Sequence, residues 1–361
     1  MHKFNCLLVA HSNSMHLRQV YTGFNILANR GLINLSQKIS KTQFYDPAKE
    51  HHLRDARHAH LKVVFNGNLV LQFDTHDSIE VDLEYLKACD FYFKRSYSAK
   101  YCESLGDQGK KIFPYGLNYD VFPNRFNAHG LARNLFLPGN HSKLKRLASS
   151  FPFLDRACFV PRLRFMENPP DTSLSPKAIF VVRAYDPFSA SDRSAEKIEE
   201  RKAINDTRAR CIMLLKKEFG NHFYGGFVPE TYARKNYKDL LVDNKNQTSK
   251  KKYLHILAKY PISLATTGLH DSIGWKFGES IAFSKAILTE KLHFSVPSLK
   301  EGTHYLSFAT PEECVTQASR LFTDHNLRKS MMIDNFKYYH AWLKPDVLIL
   351  NTLLTALERS N

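Results

Sequence analysis

The segment Thr266–Glu279 reads TTGLHDSIGWKFGE. The run Ile262-Ser263-Leu264-Ala265-Thr266-Thr267 that leads into it ends at Gly268; a polar loop follows, and an apolar helix then carries Glu279 about one turn in. Strand, glycine, loop and helix start is the order in which open α/β sheets bind phosphates. Backbone N–H groups stay free at a helix N-terminus, and the helix dipole favours an anion there. Ligands of such sheets lie beyond the carboxyl ends of the strands. Asp271 and Glu279, eight positions apart, place one carboxylate in the loop and one on the helix, both able to face one ligand.

The surrounding chain has 361 residues, more than one ordinary core accommodates, so two domains are expected. Lys plus Arg number 51 against 35 acids, a net charge of +16, which suits a polyanionic partner: nucleic acid, an anionic membrane face or a phosphorylated substrate. The cysteines (Cys6, Cys89, Cys102, Cys158, Cys211 and Cys314) form no C-x-x-C pair. That argues against a zinc module or a redox motif and fits a reducing compartment. No apolar run approaches the ~18 residues of a membrane span, and the N-terminus is too short in apolar residues for a signal peptide. The expectation is a cytoplasmic protein, with a place on the inner membrane face left open.

In the first half, Phe4–Ala10 reads as a buried strand followed by the polar loop from His11, and a helix pattern runs over about 15–30. Residues 38–60 are polar and histidine-rich and take no clear pattern. Two apolar runs flank Asn66-Gly67-Asn68, a turn signal. The second run ends in Asp74-Thr75-His76-Asp77-Ser78. Carboxylates and an imidazole at a strand end can supply a general base or an acceptor clamp; alternatively Asp77 or Ser78 caps the next helix. Strand and helix patterns continue to alternate through 91–118, which predicts a parallel sheet. Residues 124–177 form a basic boundary region carrying Arg133, Lys143, Lys145, Arg146, Arg156, Arg162 and Arg164 among aromatic and aliphatic residues. This is either an amphipathic surface for anionic lipid or a solvated basic face over its own core.

In the second half, Ala178–Val182 is a near-continuous apolar strand, as in a sheet covered on both faces. Arg183 at its carboxyl end can grip a phosphate or pair with a local acid, and Tyr185 follows. A long charged helix runs from about 192 to 219, and Phe223-Tyr224-Gly225-Gly226-Phe227 is a strand whose glycines let backbone approach a ligand. Thr310-Pro311 opens a helix, and the last residues read as two helices broken near Lys344-Pro345, the second long enough to cross back over the first domain.

Two βα domains, a junction of the form Gly268…Asp271…Lys276-Phe277-Gly278-Glu279 and a C-terminal helix pair resemble the GT-B glycosyltransferases, in particular the group 1-like members with an acidic-x7-acidic donor motif. The resemblance covers about 178–340, and Asp271 and Glu279 fill the two ends of that motif. It implies two Rossmann-like α/β domains facing across a cleft: 1–165 for the acceptor, 166–340 for a nucleotide-sugar donor, and 341–361 as a helix packed back on the first. It further implies that Glu279 accepts hydrogen bonds from the ribose hydroxyls. Arg183, Lys276 and the backbone of Gly268, Leu269, His270 and Ser272 would hold the diphosphate, with Tyr185, Gly225, Gly226, Phe227, Thr267, Trp275 and Phe277 completing the donor site. Asp271 stands where the pattern has Glu, and Arg183 is the one basic residue evident after the first strand, so the stereochemical outcome stays open.

The catalytic candidates are Asp74, His76, Asp77 and His11, all at inferred strand ends, and Asp271, which can also contact the sugar. A leaving diphosphate needs positive charge or a helix N-terminus, and no Asp-x-Asp pair occupies a convincing site, so no metal is expected. The leading reading is a glycosyltransferase of surface polysaccharide, lipopolysaccharide or glycolipid assembly. A transferase acting on nucleic acid is allowed by charge alone, since no helix-turn-helix or RNA-binding signature occurs. A non-catalytic nucleotide-sugar-binding module would differ in turnover. A dinucleotide oxidoreductase is disfavoured, because His11-Ser12-Asn13 stands where a G-x-G-x-x-G loop would be.

Overall fold

The computed structural model describes residues 3–40, 57–138, 142–156, 159–190, 193–242 and 248–360. Most of the histidine-rich stretch, Cys158 and residues 243–247 lie outside the described residues. The chain divides into two compact units. The first comprises Met1–Met166, Phe294–Ser298 and His340–Asn361, and the second Glu167–His293 and Leu299–Tyr339.

The first unit is built on β1 (Phe4–Ala10), β2 (Ile33–Ile39), β3 (His60–Phe65), β4 (Leu69–Asp74), β5 (Phe91–Lys94) and β6 (Ile112–Pro114), in the order β2-β1-β3-β4-β5-β6. The expectation of a fully parallel sheet is corrected here. β3 runs antiparallel to both β1 and β4, while the other neighbours are parallel. The reason is local: Asn66 and Gly67 both take positive φ, 51° and 83°, and a turn that tight closes a hairpin, which joins antiparallel strands. Neither Asp77 nor Ser78 caps the following helix; Asp82 does, accepting from the amides of Glu84 and Tyr85. Residues 124–166, expected as part of a boundary region, belong to this unit, and Arg162, Leu163 and Met166 are buried in it.

The helix Arg18–Asn29 covers the sheet and receives the terminal helix Pro345–Ser360, whose Leu348, Ile349, Leu353 and Ala356 enter the core. Burying each large aliphatic side chain stabilises by roughly 1.5–3 kcal/mol. Gly23 sets the spacing: a Cβ there would stand 2.3 Å from the Pro345 carbonyl oxygen. Gln19 donates to the Leu343 carbonyl (3.1 Å) and Arg30 pairs with buried Asp346.

The second unit has β7 (Ala178–Val182), β8 (Phe223–Phe227), β9 (Ile262–Ala265), β10 (Ala286–Glu290) and β11 (Leu306–Phe308), all parallel, in the order β11-β10-β9-β7-β8. The chain leaves β7 for β8 on one side and then crosses to β9 on the other. The topological switch point, where ligands of such sheets bind, therefore lies between β7 and β9. Thr310 caps the helix Pro311–Thr323 by accepting from the Glu313 amide (3.2 Å), with proline at the first position. Two Rossmann-like α/β units in succession, with the last helix returned to the first, are the components of the GT-B fold expected from the sequence.

Candidate functional site

At the switch point, β7 delivers Arg183 and Tyr185, and β9 delivers Thr266, Thr267 and Gly268. The helix Ala195–Phe219 holds these ends together through Arg208. Its Nε donates to Thr266 Oγ1 (3.0 Å), and its two Nη atoms donate to the carbonyls of Arg183 (2.8 Å) and Thr267 (3.0 Å). Its guanidinium carbon lies 4.8 Å from the Tyr185 ring centroid. One turn earlier, buried Asn205 bonds both the amide (2.8 Å) and the carbonyl (2.7 Å) of Tyr185. Positions 205, 208, 212 and 215 share one stripe of this helix, so two polar side chains ride on the face that also carries Ile212 and Leu215 into the core.

The polar loop that follows β9 differs from the expected cradle. The amide of Thr267 donates to Glu290 (2.8 Å), that of Gly268 to the Ser272 carbonyl (2.8 Å), that of His270 to Glu200 (2.6 Å) and that of Ser272 to the Leu269 carbonyl (3.2 Å). These donors are already engaged. His270 and Asp271 sit at positive φ (60° and 54°) with exposed side chains. Asp271 thus points to solvent, while Glu279 is 3% exposed. Gly225, Gly226 and Phe227 are likewise corrected. A Cβ on Gly225 would lie 2.7 Å from the Phe180 carbonyl oxygen and one on Gly226 2.6 Å from that of Leu240, so the chain's own backbone takes the close approach. Phe227 is fully buried against Tyr237, and Phe277 is core, edge-on to Tyr305.

What the fold gathers instead is charge. The helix Trp275–Ala282 starts at Gly274 with no side-chain cap. One turn in, Glu279 pairs through Oε1 with Lys250, and its Oε2 takes no hydrogen bond from the described residues. Lys276 Nζ stands 3.6 Å from the centroid of the Tyr253 ring, and Lys250 Nζ 5.9 Å from it. Burial pushes the Lys276 ammonium down to about 7; Glu279 opposes the shift, and the fields of Lys250, Arg183 and Arg208 add to it. Arg183 is exposed and pairs with Glu230 at 3.3 Å, the local acid allowed for above. Lys250, Tyr253, Arg208 and Glu290 were not legible as site residues. Lys250 sits in a lysine run that reads as solvated, although Ser249 before it is a cap signal and does accept from the Lys252 amide (3.5 Å).

In the first unit, Asp74 ends β4 deep in the protein, 1% exposed. Its Oδ2 accepts from the Tyr92 hydroxyl (2.6 Å) and Lys94 Nζ (2.9 Å), its Oδ1 from the His76 amide (2.9 Å), and His60 Nε2 lies 3.7 Å away. Burial alone would raise its pKa, but His60, Lys94, His76 and the Tyr92 hydroxyl together hold it well below the usual carboxylate range. A carboxylate so engaged is a structural anchor, which corrects its candidacy as a base. Burial pushes the His76 imidazole down to about 3, and that of His16 to about 4. Asp77 is more accessible: it pairs with buried Arg95 and its field reaches His16, whose ring is 5.5 Å from that of His58. His11 is half-buried in the loop after β1.

No protein-family model matches this sequence, and neither does any curated protein. Among solved structures, a glycosyltransferase from Rickettsia africae is similar over 95% of this chain and 81% of its own, at 10% identity and a TM-score of 0.42. Anabaena HepE in complex with UDP and glucose is similar over 96% of this chain and 95% of its own, at 9% identity and a TM-score of 0.38. The pneumococcal O-GlcNAc transferase GtfA in complex with UDP and GlcNAc is similar over 77% of this chain at 10% identity and a TM-score of 0.38; this chain spans 47% of its length. Likenesses this distant carry no residue role and no activity across.

Proposed function

We propose that the protein is a glycosyltransferase that moves a sugar from a nucleotide-sugar donor to an acceptor hydroxyl. One observation carries the reading: at the carboxyl ends of β7 and β9, Lys250 pairs with Glu279 and buried Lys276, lying on the Tyr253 ring, feels the fields of Glu279, Lys250, Arg183 and Arg208, next to an uncapped helix start. A diphosphate placed there would restore the charge that burial withholds from Lys276, and Glu279 Oε2 would accept from the ribose. As the sugar leaves, negative charge grows on the diphosphate, and the same ammonium and guanidinium groups would stabilise it. The reading needs no metal. Asp77, held by Arg95, is the base we assign to the acceptor hydroxyl.

For the acceptor we propose a glycan or glycolipid at an anionic membrane surface on its cytoplasmic face, as in polysaccharide or lipopolysaccharide assembly. No helix among the described residues is long and apolar enough to cross a membrane. Leu144 and Phe153, 82% and 75% exposed, share a segment with exposed Lys143 and Lys145, a combination that suits anionic lipid. The sequestration of Asp74 and His76 favours one second reading, a nucleotide-sugar-binding module without turnover.

Thermal unfolding against UDP, GDP, ADP, CDP and dTDP, each with and without a divalent metal, tests the donor site. A ligand at 100 times its Kd stabilises by about 2.7 kcal/mol. One nucleotide raising the transition without metal is the expected result; no response to any of them sinks the donor assignment. Release of free sugar or transfer by the responding donor separates enzyme from module.

A further inference from the structure

Glu279 is approached by cations from two helices. Lys276 precedes it on its own helix, and Lys250 is the first residue of the helix Lys250–Ala258. Both ammoniums lie by the Tyr253 ring, with Nζ 3.6 Å (Lys276) and 5.9 Å (Lys250) from its centroid. Among the described residues Lys250 is the one that bonds the carboxylate, at Oε1.

The two partners differ in freedom. The Glu279 side chain is 4% exposed and that of Lys250 is 32% exposed. A lysine at the solvent edge has a flexible four-carbon stem and turns its ammonium to a new partner without disturbing the core; the buried carboxylate has no such choice. The helix that carries Lys250 adds a reason to turn. It opens Lys250-Lys251-Lys252 with no acid in its first turn, which places three ammoniums at the positive end of the helix dipole, where an anion is favoured and a cation is not. An anion arriving beside this helix start competes with Glu279 for Lys250. The pairing also limits what the carboxylate can accept. The vicinal hydroxyls of a ribose present two donors, and an ionised carboxylate has two oxygens to receive them. With Lys250 on Oε1, Oε2 is the oxygen left for a hydroxyl.

We infer that Lys250 gates the ribose contact: in the ligand-free protein it holds Glu279 Oε1, and the diphosphate of a nucleotide draws it away, so that both carboxylate oxygens meet the ribose only when phosphate is present. The inference rests on the nucleotide-sugar reading and adds a selection to it. A nucleoside leaves the gate shut and makes one hydrogen bond to Glu279. A nucleoside diphosphate opens it, makes two, and gains the lysine as a contact. Lys250 thus acts on the ribose through Glu279, as a positioning residue.

Isothermal titration of the full chain with UDP, GDP, ADP and CDP, their 2′-deoxy forms and the matching nucleosides of both kinds tests it. In the wild type, the diphosphate that binds should prefer ribose to deoxyribose by about ten-fold or more, as for a hydrogen bond to a charged acceptor, and its nucleoside by less than about three-fold. In Lys250→Met the nucleoside should bind about ten-fold tighter than to the wild type and acquire the ribose preference, while the diphosphate binds about ten-fold weaker or worse. Lys250→Arg should restore the wild-type pattern. Lys250→Gln covers a methionine variant that does not fold: a neutral amide stays on Oε1 when diphosphate arrives, so the ribose preference of the diphosphate falls to that of the nucleoside. Equal ribose preference in diphosphate and nucleoside in the wild type, or a nucleoside that binds Lys250→Met no more tightly than the wild type, overturns the gate and leaves the nucleotide site standing. Binding of dTDP alone, which has no 2′-hydroxyl, does the same. Absence of binding by every diphosphate, dTDP included, overturns the gate and the nucleotide-sugar reading together.

Discussion

Raising the pH from 7 to 8.5 removes the proton from Lys276 in the free protein but not in a complex that holds a diphosphate against it. Burial, reinforced by Lys250, Arg183 and Arg208, sets the free ammonium at about 7; a bound diphosphate returns it toward its ordinary value near 10.4. Binding in this window therefore takes up a proton, and affinity falls as the pH rises. The free-state proton occupancy gives a loss of roughly 15-fold between pH 7 and 8.5, or about 1.6 kcal/mol, and a plateau below pH 7. Isothermal titration with a nucleotide sugar, whose diphosphate is esterified at both ends and does not titrate here, measures this directly, and buffers of different ionisation enthalpy count the proton. In Lys276→Gln the affinity should be lower and flat with pH. The linkage has a counterpart in stability. A base whose folded pKa is depressed is penalised while it is charged, so the ligand-free wild type gains stability as pH rises from 7 toward 10.4, and the variant does not. An affinity that stays constant from pH 7 to 8.5 in the wild type, or falls equally in the variant, would refute the placement of the diphosphate against Lys276.

Arg208→Gln should cost about 3 kcal/mol or more, because two carbonyls and a hydroxyl lose a charged donor, and urea unfolding should show the loss together with weaker nucleotide binding; a stable variant with normal affinity would remove Arg208 as the organiser of the strand ends. Asp74→Ala leaves Lys94 buried and unpaired, a loss of about 3–5 kcal/mol, whereas in Asp77→Asn the amide oxygen can still accept from buried Arg95, so the melting temperature should fall far less while kcat drops at least a hundred-fold. Equal stability losses in the two would contradict the division between anchor and base. Gly23→Val should destabilise by about 3 kcal/mol through overpacking against Pro345, read as a lower urea midpoint; an unchanged midpoint would mean the terminal helix can shift away.

The order of elements was largely legible, because the second unit's strands are short apolar runs followed by glycine or polar loops, and Thr310-Pro311 is a strong helix start. The antiparallel β3 was missed although Asn66-Gly67 announced a hairpin: alternation of strands and helices was allowed to outweigh a local turn. β2 was missed because an edge strand paired on one side alternates polar residues outward, and INLSQKI has too few apolar positions to register. In the site, Lys276 and Glu279 were named from one segment, but their partners Lys250, Tyr253 and Arg208 arrive from two other helices, and nothing in linear spacing links positions 208, 250 and 276. The glycines of β8 were misassigned for a related reason. Sequence shows that backbone comes close to something, and not that the something is the chain's own residues 240–242.

The same chemistry, charged groups at strand ends, has thus been put to two uses, and the difference lies in whether the protein completes the pairing. Asp74 has its acceptors filled by Tyr92, Lys94 and the His76 amide within 2.9 Å, so adding a ligand there would break bonds before making any. Lys276 has the Tyr253 ring and the field of Glu279, whose carboxylate is bonded to Lys250. It is a cation whose solvation the fold has removed and only partly replaced. A free energy of several kcal/mol spent on holding such a group is recovered when an anion arrives, which makes the affinity of the site and the stability of its empty form move in opposite directions under substitution. Lys276→Gln should stabilise the ligand-free protein at pH 7 while weakening the anion, and that inverse pair of effects distinguishes a binding site from a structural ion pair, in which both fall together.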